Sequence, residues 1–257
     1  MTLEKESAQT HAALILETET LRRELKEVRE GYERFSVLAA HDLQGAMRKI
    51  IQSGEILNMD ARDKLSEADL FFLDAMISAA QRLHSTFPDV INYCGMTLYA
   101  LKKERVSFEA VAKSCVEALM TAVPQESPQS KAKITIGTLP CVFADTQSIE
   151  TLFKALIENS LKFAKIDGPI AIEICTREEA GFIYIDIIDN GIGIEAAEYV
   201  DVFEPFIRLN SKLEYPGSGL GLAASRLICE RHDWTLTYLS DPGKTQMTIR
   251  MNKSDLR

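Results

Sequence analysis

Between Leu14 and Ala39 the apolar or small positions are Leu14, Thr18, Leu21, Leu25, Val28, Tyr32, Phe35 and Ala39, mostly in alternating steps of four and three. A long helix keeps such a row on one face, and the Glu, Lys and Arg residues flanking it make the row a coiled-coil seam. It continues through Leu43, Met47 (or Ala46), Ile50, Gly54 and Leu57, with a stutter where two steps of four follow each other around Ala39. At about 100° per residue, His41 points roughly away from the seam and Asp42 lies to its side.

Asn58-Met-Asp60 and Arg62-Asp63 predict a turn, and Ser66-Glu-Ala-Asp69 reads as a capping box opening a second helix. The apolar positions of that helix run Phe72, Met76, Ala79, Leu83, Phe87, Val90, Cys94, Leu98 and Leu101. Two long helices joined by a short turn make an all-α hairpin with a one-sided apolar stripe. A hairpin cannot bury that stripe alone, so two copies are expected to pair into a four-helix bundle, a homodimer with a coiled-coil N-terminus. Pro88 falls inside the second helix and is expected to kink it.

Around Lys102–Arg105 the heptads give way to an α/β mixture. Val106–Met120 predicts a short strand and then a helix, followed by a loop from Val123 to Ser130. Ile134–Ile136 and Cys141–Phe143 predict strands, and Ile149–Lys165 a helix. Ile170–Ile174 and Phe182–Ile188 alternate like hairpin-linked strands. A short helix is expected over Glu195–Val202, a polar loop over Asn210–Gly217, a helix over Leu220–Arg231, and strands over Thr235–Leu239 and Thr245–Met251. Helices beside an antiparallel or mixed sheet make an α+β sandwich. The expected division is 1–35 for a signal helix, 36–103 for the hairpin and 104–257 for the α+β domain.

Composition narrows the partners. The chain has 257 residues and a net charge of -9, with 46% hydrophobic and 26% charged residues, which suits a soluble globular protein. A pI near 5.1 gives no broad basic field for nucleic acid. The five cysteines are scattered without a CxxC pair, as expected of reduced thiols in a cytoplasmic protein. No apolar run is long enough for a transmembrane segment.

Four patterns in the second half carry chemistry. In Leu152-Phe-Lys-Ala-Leu-Ile-Glu158-Asn159-Ser-Leu-Lys162-Phe163, Asn159, Lys162 and Phe163 share one helical face. An amide oxygen suits hydrated Mg²⁺, an ammonium suits phosphate, and a ring can pack beside a nucleotide; an ordinary amphipathic helix has the same pattern. Asp189-Asn190-Gly191-Ile192-Gly193 follows an apolar strand, where a carboxylate can accept from an exocyclic amine and the glycines admit a flat ligand. A plain Asn-Gly turn reads the same way. Phe203-Glu-Pro-Phe206 fits core packing under a loop. Gly217-Ser218-Gly219-Leu220-Gly221-Leu222 opens a helix, where backbone N–H groups make an anion site.

In order and spacing these patterns closely resemble the N, first glycine, F and second glycine boxes of the ATP-binding domain of sensor histidine kinases, within the GHKL ATPase superfamily. Ala40-His41-Asp42-Leu43-Gln44 resembles the phosphoacceptor box of the HisKA-type dimerisation domain of the same kinases, and the resemblance covers roughly residues 30–252. It implies an enzyme that phosphorylates itself on His41 from ATP and Mg²⁺, then passes the group to an aspartate of a response regulator receiver domain. On the matching positions it implies Asp42 as the orienting neighbour, Asn159 as the Mg²⁺ ligand and Lys162 as a phosphate contact. Phe163 and Phe203 would lie at the nucleotide, Asp189 would read adenine, and Gly191 and Gly193 would shape its pocket. Gly217, Gly219, Leu220 and Gly221 would form the lid hinge and phosphate cradle. An upstream sensor module or partner would supply the stimulus.

The departures qualify this. Ala155 stands where histidine kinases usually carry another Asn and where ATP-hydrolysing relatives place a catalytic Glu, which speaks against a gyrase-, MutL- or Hsp90-like ATPase. Gly45 replaces a polar residue tied in the family to phosphatase activity, so the site is expected to gain phosphate more readily than to remove it from its partner. Gly45 and Ala46 together replace the polar residue and proline that commonly follow the box. His232-Asp233-Trp234 replaces a glycine pair. The alternative is a non-catalytic dimeric phosphotransfer or scaffold protein of the same fold, which would have no need of an adenine pocket.

Overall fold

The computed structural model describes residues 2–165, 168–195, 200–209, 215 and 217–256, with side chains from Leu14 onward except Val37 and Ala40. The chain divides into two compact units, Met1–Tyr99 and Ala100–Arg257.

In the first unit a 60-residue helix α1 (Thr2–Ala61) and a 30-residue helix α2 (Glu67–Met96) are joined through a 3-10 turn, Arg62–Lys64. The turn falls on the Arg62-Asp63 half of the stretch expected for it, while Asn58–Asp60 is still helical because α1 carries on through Ala61. The capping box forms: Ser66 Oγ accepts from the Asp69 N–H at 3.2 Å, and the Asp69 carboxylate accepts from the Ser66 N–H at 3.2 Å. Both satisfy groups that a helix start leaves open. Helix α2 passes through Pro88 and ends at Met96, so Leu98 and Leu101 lie beyond it.

The face of α2 that packs on α1 is one position off the expected row. Leu73, Ile77 and Ala80 of α2 are buried, as are Met47 and Gly54 of α1, and Leu73 and Ile77 lie against Gly54. A Cβ on Gly54 would lie 2.5 Å from Ile77 Cγ1, so this glycine lets the helices approach closely. Seam residues Leu43, Ile50 and Leu57 stay 47–50% exposed, and Phe72, Met76 and Leu83 are 58–64% exposed. The hairpin therefore has two apolar faces, one closed within the chain and one open. At its upper end the Tyr32 hydroxyl donates to the Ile91 carbonyl, and the Arg29 guanidinium lies 4.5 Å from the Tyr99 ring centre.

In the second unit β1 (Lys103–Ser107) pairs antiparallel with β3 (Cys141–Asp145). A five-stranded sheet runs in the order β2 (Lys133–Ile136), β4 (Ala171–Glu179), β5 (Phe182–Asp189), β7 (Lys244–Asn252) and β6 (Thr235–Asp241). Only β2 and β4 pair in parallel, so the sheet is mixed. Helices α3 (Phe108–Ala122), α4 (Thr146–Lys162) and α5 (Gly221–Arg231) complete the α+β unit. The alternation of β5 turns Ile183, Ile185 and Ile187 inward, and they are fully buried with Leu152, Phe153 and Ile157 of α4. That alternation also turns Asp189 to the helix side. The short helix expected over Glu195–Val202 falls mainly on 196–199, and the loop expected over Asn210–Gly217 on 210–214 and 216; both lie outside the described residues. No helix is long and apolar enough to cross a membrane among the described residues.

Candidate functional site

Helix α4 starts at Asp145, whose Oδ1 caps it by accepting from the Ser148 N–H at 2.9 Å. Its apolar residues enter the core and leave Ala155, Asn159 and Lys162 partly exposed on another face. The second glycine segment lies along that face. A Cβ on Gly221 would sit 3.8 Å from Asn159 Nδ2 and 3.9 Å from Ala155 Cβ, and one on Gly217 only 2.8 Å from Lys162 Nζ. The Asn159 carboxamide takes no hydrogen bond from another described residue, so its oxygen is available to a ligand. Burial holds the Lys162 ammonium below its usual range, helped by the nearby Arg208 guanidinium and opposed by Glu158. The ammonium also lies 4.7 Å from the Phe163 ring centre.

Asp189 closes β5 and is buried. Its Oδ1 accepts from the Gly191 N–H at 2.9 Å and its Oδ2 from the Ser160 hydroxyl at 3.0 Å. Burial raises its carboxyl above the ordinary carboxylate value, and those two donors oppose the rise. The first glycine box then turns tightly: the Ile192 N–H donates to the Phe163 carbonyl at 2.9 Å, and the Ile194 N–H to Ser240 Oγ at 2.7 Å. Gly193 has φ +84, and a Cβ there would lie 2.6 Å from the Asp241 carbonyl oxygen, so only glycine fits this turn.

The second glycine segment is tied to the stretch before it. The Phe206 N–H donates to the Gly219 carbonyl at 3.0 Å, and the Arg208 guanidinium donates to the Tyr215 and Gly217 carbonyls. Leu220 is buried and stands at the N-cap of α5, where no side chain among the described residues caps the helix. The first-turn N–H groups are therefore open to an anion. Phe203 sits apart from this group. Its ring packs 5.8 Å from that of Tyr238 and 5.9 Å from the Arg226 guanidinium, which is ion-paired with Asp201 and Glu204.

The fold thus brings Asn159, Lys162, Phe163, Gly217, Gly219 and Gly221 together, with Asp189, Gly191 and Gly193 on the other side of Phe163 in the chain's hydrogen bonding. Three further residues join them. Ser160 bonds Asp189, Arg208 holds the glycine segment, and the Tyr215 ring lies 5.0 Å from that of Phe163 at a 36° tilt. Ser160 follows Asn159 directly, so a helix that shows Asn159 to the surface turns Ser160 inward; nothing in the pattern around Arg208 or Tyr215 marks them. The replaced glycine pair also has a structural account. His232 is buried, its Nε2 accepts from the Asp145 N–H at 3.1 Å and its Nδ1 bonds the Ile228 carbonyl at 2.8 Å. This pins the end of α5 to the start of α4. Trp234 stacks on His232 at 4.6 Å and donates to Asp255.

In the first unit His41 and Asp42 are strongly exposed on α1, and His41 Nδ1 lies 3.0 Å from Asp42 Oδ1. With the proton on Nδ1, the lone pair of Nε2 points to solvent. A groove of about 390 Å³ lies elsewhere, lined by Arg177, Tyr184, Thr248 and Arg250 among others, and holds none of these residues.

Residues 144–255 match the family of histidine kinase-, DNA gyrase B- and HSP90-like ATPases. The chain is 29% identical to the phytochrome-like protein Cph1 of Synechocystis sp. over 87% of this chain and 29% of that protein. It is 28% identical to the sensor protein KdpD of Escherichia coli over 81% of this chain and 23% of that protein. The chain spans less than a third of the length of these relatives. Its fold is similar to the Acinetobacter baumannii histidine kinase AdeS (TM-score 0.54, 23% identity, 80% of this chain and 94% of that one). It is also similar to full-length ShkA in complex with AMPPNP (TM-score 0.56, 16% identity, 84% and 45%).

Proposed function

We propose that this chain is the kinase portion of a two-component sensor histidine kinase, a reading supported by the match of residues 144–255 to histidine kinase-, DNA gyrase B- and HSP90-like ATPases. It transfers the γ-phosphoryl group of ATP to His41 and then to an aspartate of a response regulator. The observation that carries this reading is the meeting of Asn159, Lys162 and the Gly217–Gly221 segment on the helix whose Ser160 bonds Asp189.

Asp189 accepts from the exocyclic amine of adenine, and Phe163 packs beside the base. Lys162 and the open N–H groups of α5 hold the phosphates, Gly217 and Gly219 leaving room for them. The free carboxamide oxygen of Asn159 suits Mg²⁺, which neutralises phosphate charge when bound. Phosphoryl transfer needs mainly position and charge compensation, which these groups supply. At the acceptor, the Nε2 lone pair of His41 attacks the γ-phosphorus and the bond to the β,γ-bridging oxygen breaks, its electron pair leaving on ADP. Asp42 keeps the Nδ1–H in place and stabilises the cationic ring that forms.

The open face carrying Leu43, Ile50, Leu57, Phe72, Met76 and Leu83 supports a homodimer through the hairpin. Residues 1–35 act as the signal helix receiving a sensor module or partner, 36–103 as the dimerisation and phosphoacceptor domain, and 104–257 as the catalytic domain, all in the cytoplasm. The test is labelling with γ-phosphate-tagged ATP. Wild type should take up an acid-labile, alkali-stable label and His41→Gln none; a label persisting in the variant overturns the assignment. Absence of a MgATP-dependent thermal shift would favour a non-catalytic scaffold instead.

A further inference from the structure

Asp189 and Asn159 belong to the proposed nucleotide site, and Ser160 of α4 links the helix that carries Asn159 to Asp189. Ser160 is one helix position past Asn159 and is 4% exposed, facing inward where Asp189 is 8% exposed. Each carboxylate oxygen of Asp189 has one donor: the Gly191 N–H at 2.9 Å on Oδ1 and the Ser160 hydroxyl at 3.0 Å on Oδ2.

We propose that Ser160 is a specificity-determining positioning residue of the base pocket: its hydroxyl fixes the plane of the Asp189 carboxylate so that a remaining lone pair faces the exocyclic amine of adenine. The inference rests on the reading of Asp189 as the adenine acceptor. Two donors from different elements, the interior of α4 and the turn after β5, leave the carboxylate little freedom to rotate. A carboxylate oxygen accepts more than one hydrogen bond, so the serine does not exclude the ligand. Without the hydroxyl, Oδ2 is buried with no protein donor, which favours the protonated acid. That acid presents a donor to a donor amine, and the discrimination is lost.

A merely structural serine predicts something else. Its removal would weaken every nucleotide alike, whereas a positioning serine affects only ligands that carry the amine. The experiment measures direct binding of ATP and of purine riboside triphosphate, which has the same phosphates and ring but no exocyclic amine. The wild-type chain should prefer ATP, and Ser160→Ala should cut that preference by about tenfold, the scale of one hydrogen bond to a charged group. Affinity for purine riboside triphosphate should stay within about twofold, which also shows that the variant is folded. Ser160→Cys, a weak donor of similar size, should keep an intermediate preference. An unchanged preference in Ser160→Ala, or an equal loss for both ligands, overturns the role of Ser160. A wild-type chain that binds both equally well overturns the reading of Asp189 itself.

Discussion

Two glycines in the site face different neighbours, and a methyl group at each should have different consequences. At Gly193, with φ +84, a Cβ meets the Asp241 backbone oxygen at 2.6 Å, and backbone held in a turn cannot step aside. Gly193→Ala should lower the stability of the α+β unit by roughly 2–4 kcal/mol, read by denaturant unfolding. At Gly217 φ is +149, so an alanine is strained there too, but its Cβ meets only Lys162 Nζ, the free end of a flexible chain, and no backbone clash adds to the strain. Gly217→Ala should unfold at a denaturant concentration closer to wild type yet bind MgATP about tenfold more weakly, because the ammonium is displaced from the phosphates. Equal stability losses for the two variants would contradict this contrast. That Asn159 and Lys162 share a helix face, and that a tight turn follows Asp189, was legible in the sequence because each of these signals lies within a few residues. Ser160 and Tyr215 were not, because they meet Asp189 and Phe163 only when distant segments come together, and Arg208 was not, because its bonds go to backbone carbonyls of its own loop that no residue pattern marks. Phe203 was legible as an aromatic in a motif, but its ring packs on Tyr238 rather than beside Lys162.

Among the elements, helices with local signals were the easiest to read. The capping box places the start of α2 because both of its hydrogen bonds lie within four residues. The face of α2 was harder. With apolar residues at both Phe72 and Leu73, and at both Met76 and Ile77, periodicity alone does not say which row meets α1 and which stays open. The sheet order is harder still, since the parallel pairing of β2 with β4 joins segments separated by β3 and α4. The junction of α4 with α5 gives a pH prediction. Burial lowers the folded-state value of His232 below 6.5, with Lys103 and Arg231 acting in the same direction against the Ile228 carbonyl and the Asp145 carboxylate. The unfolded chain then takes up a proton as pH falls through about 6.5 while the folded chain resists, so stability drops on acidification until the folded value is passed. Above 6.5 the residue adds no slope. Thermal unfolding midpoints should fall from pH 7 to pH 5.5 in wild type, and His232→Gln should start lower and lose part of that slope. A slope unchanged by the substitution would show that His232 is not its source.

At the scale of the molecule, 60 residues at about 1.5 Å per residue make α1 roughly 90 Å long, about twice the length of α2. Tyr32 meets Gly95 near the end of α2, and beyond that point Leu14, Leu21, Leu25 and Val28 are all 55–58% exposed. Isolated helices owe little of their stability in water to propensity and most to a packed apolar face. On the proposed dimer, the first half of α1 takes its order from the second copy, which makes secondary structure in this chain a function of concentration. Diluting the protein through the midpoint of its self-association should lower the helical circular dichroism per residue by about the share of residues 2–31, while the near-ultraviolet signal of Trp234, deep in the α+β unit, stays constant. A helical signal that does not change across that dilution would mean that the segment is ordered without a second copy. In a cell, the same dependence would make the N-terminal half of α1 a reporter of local crowding of its own kind: rigid where copies cluster, slack where they are sparse.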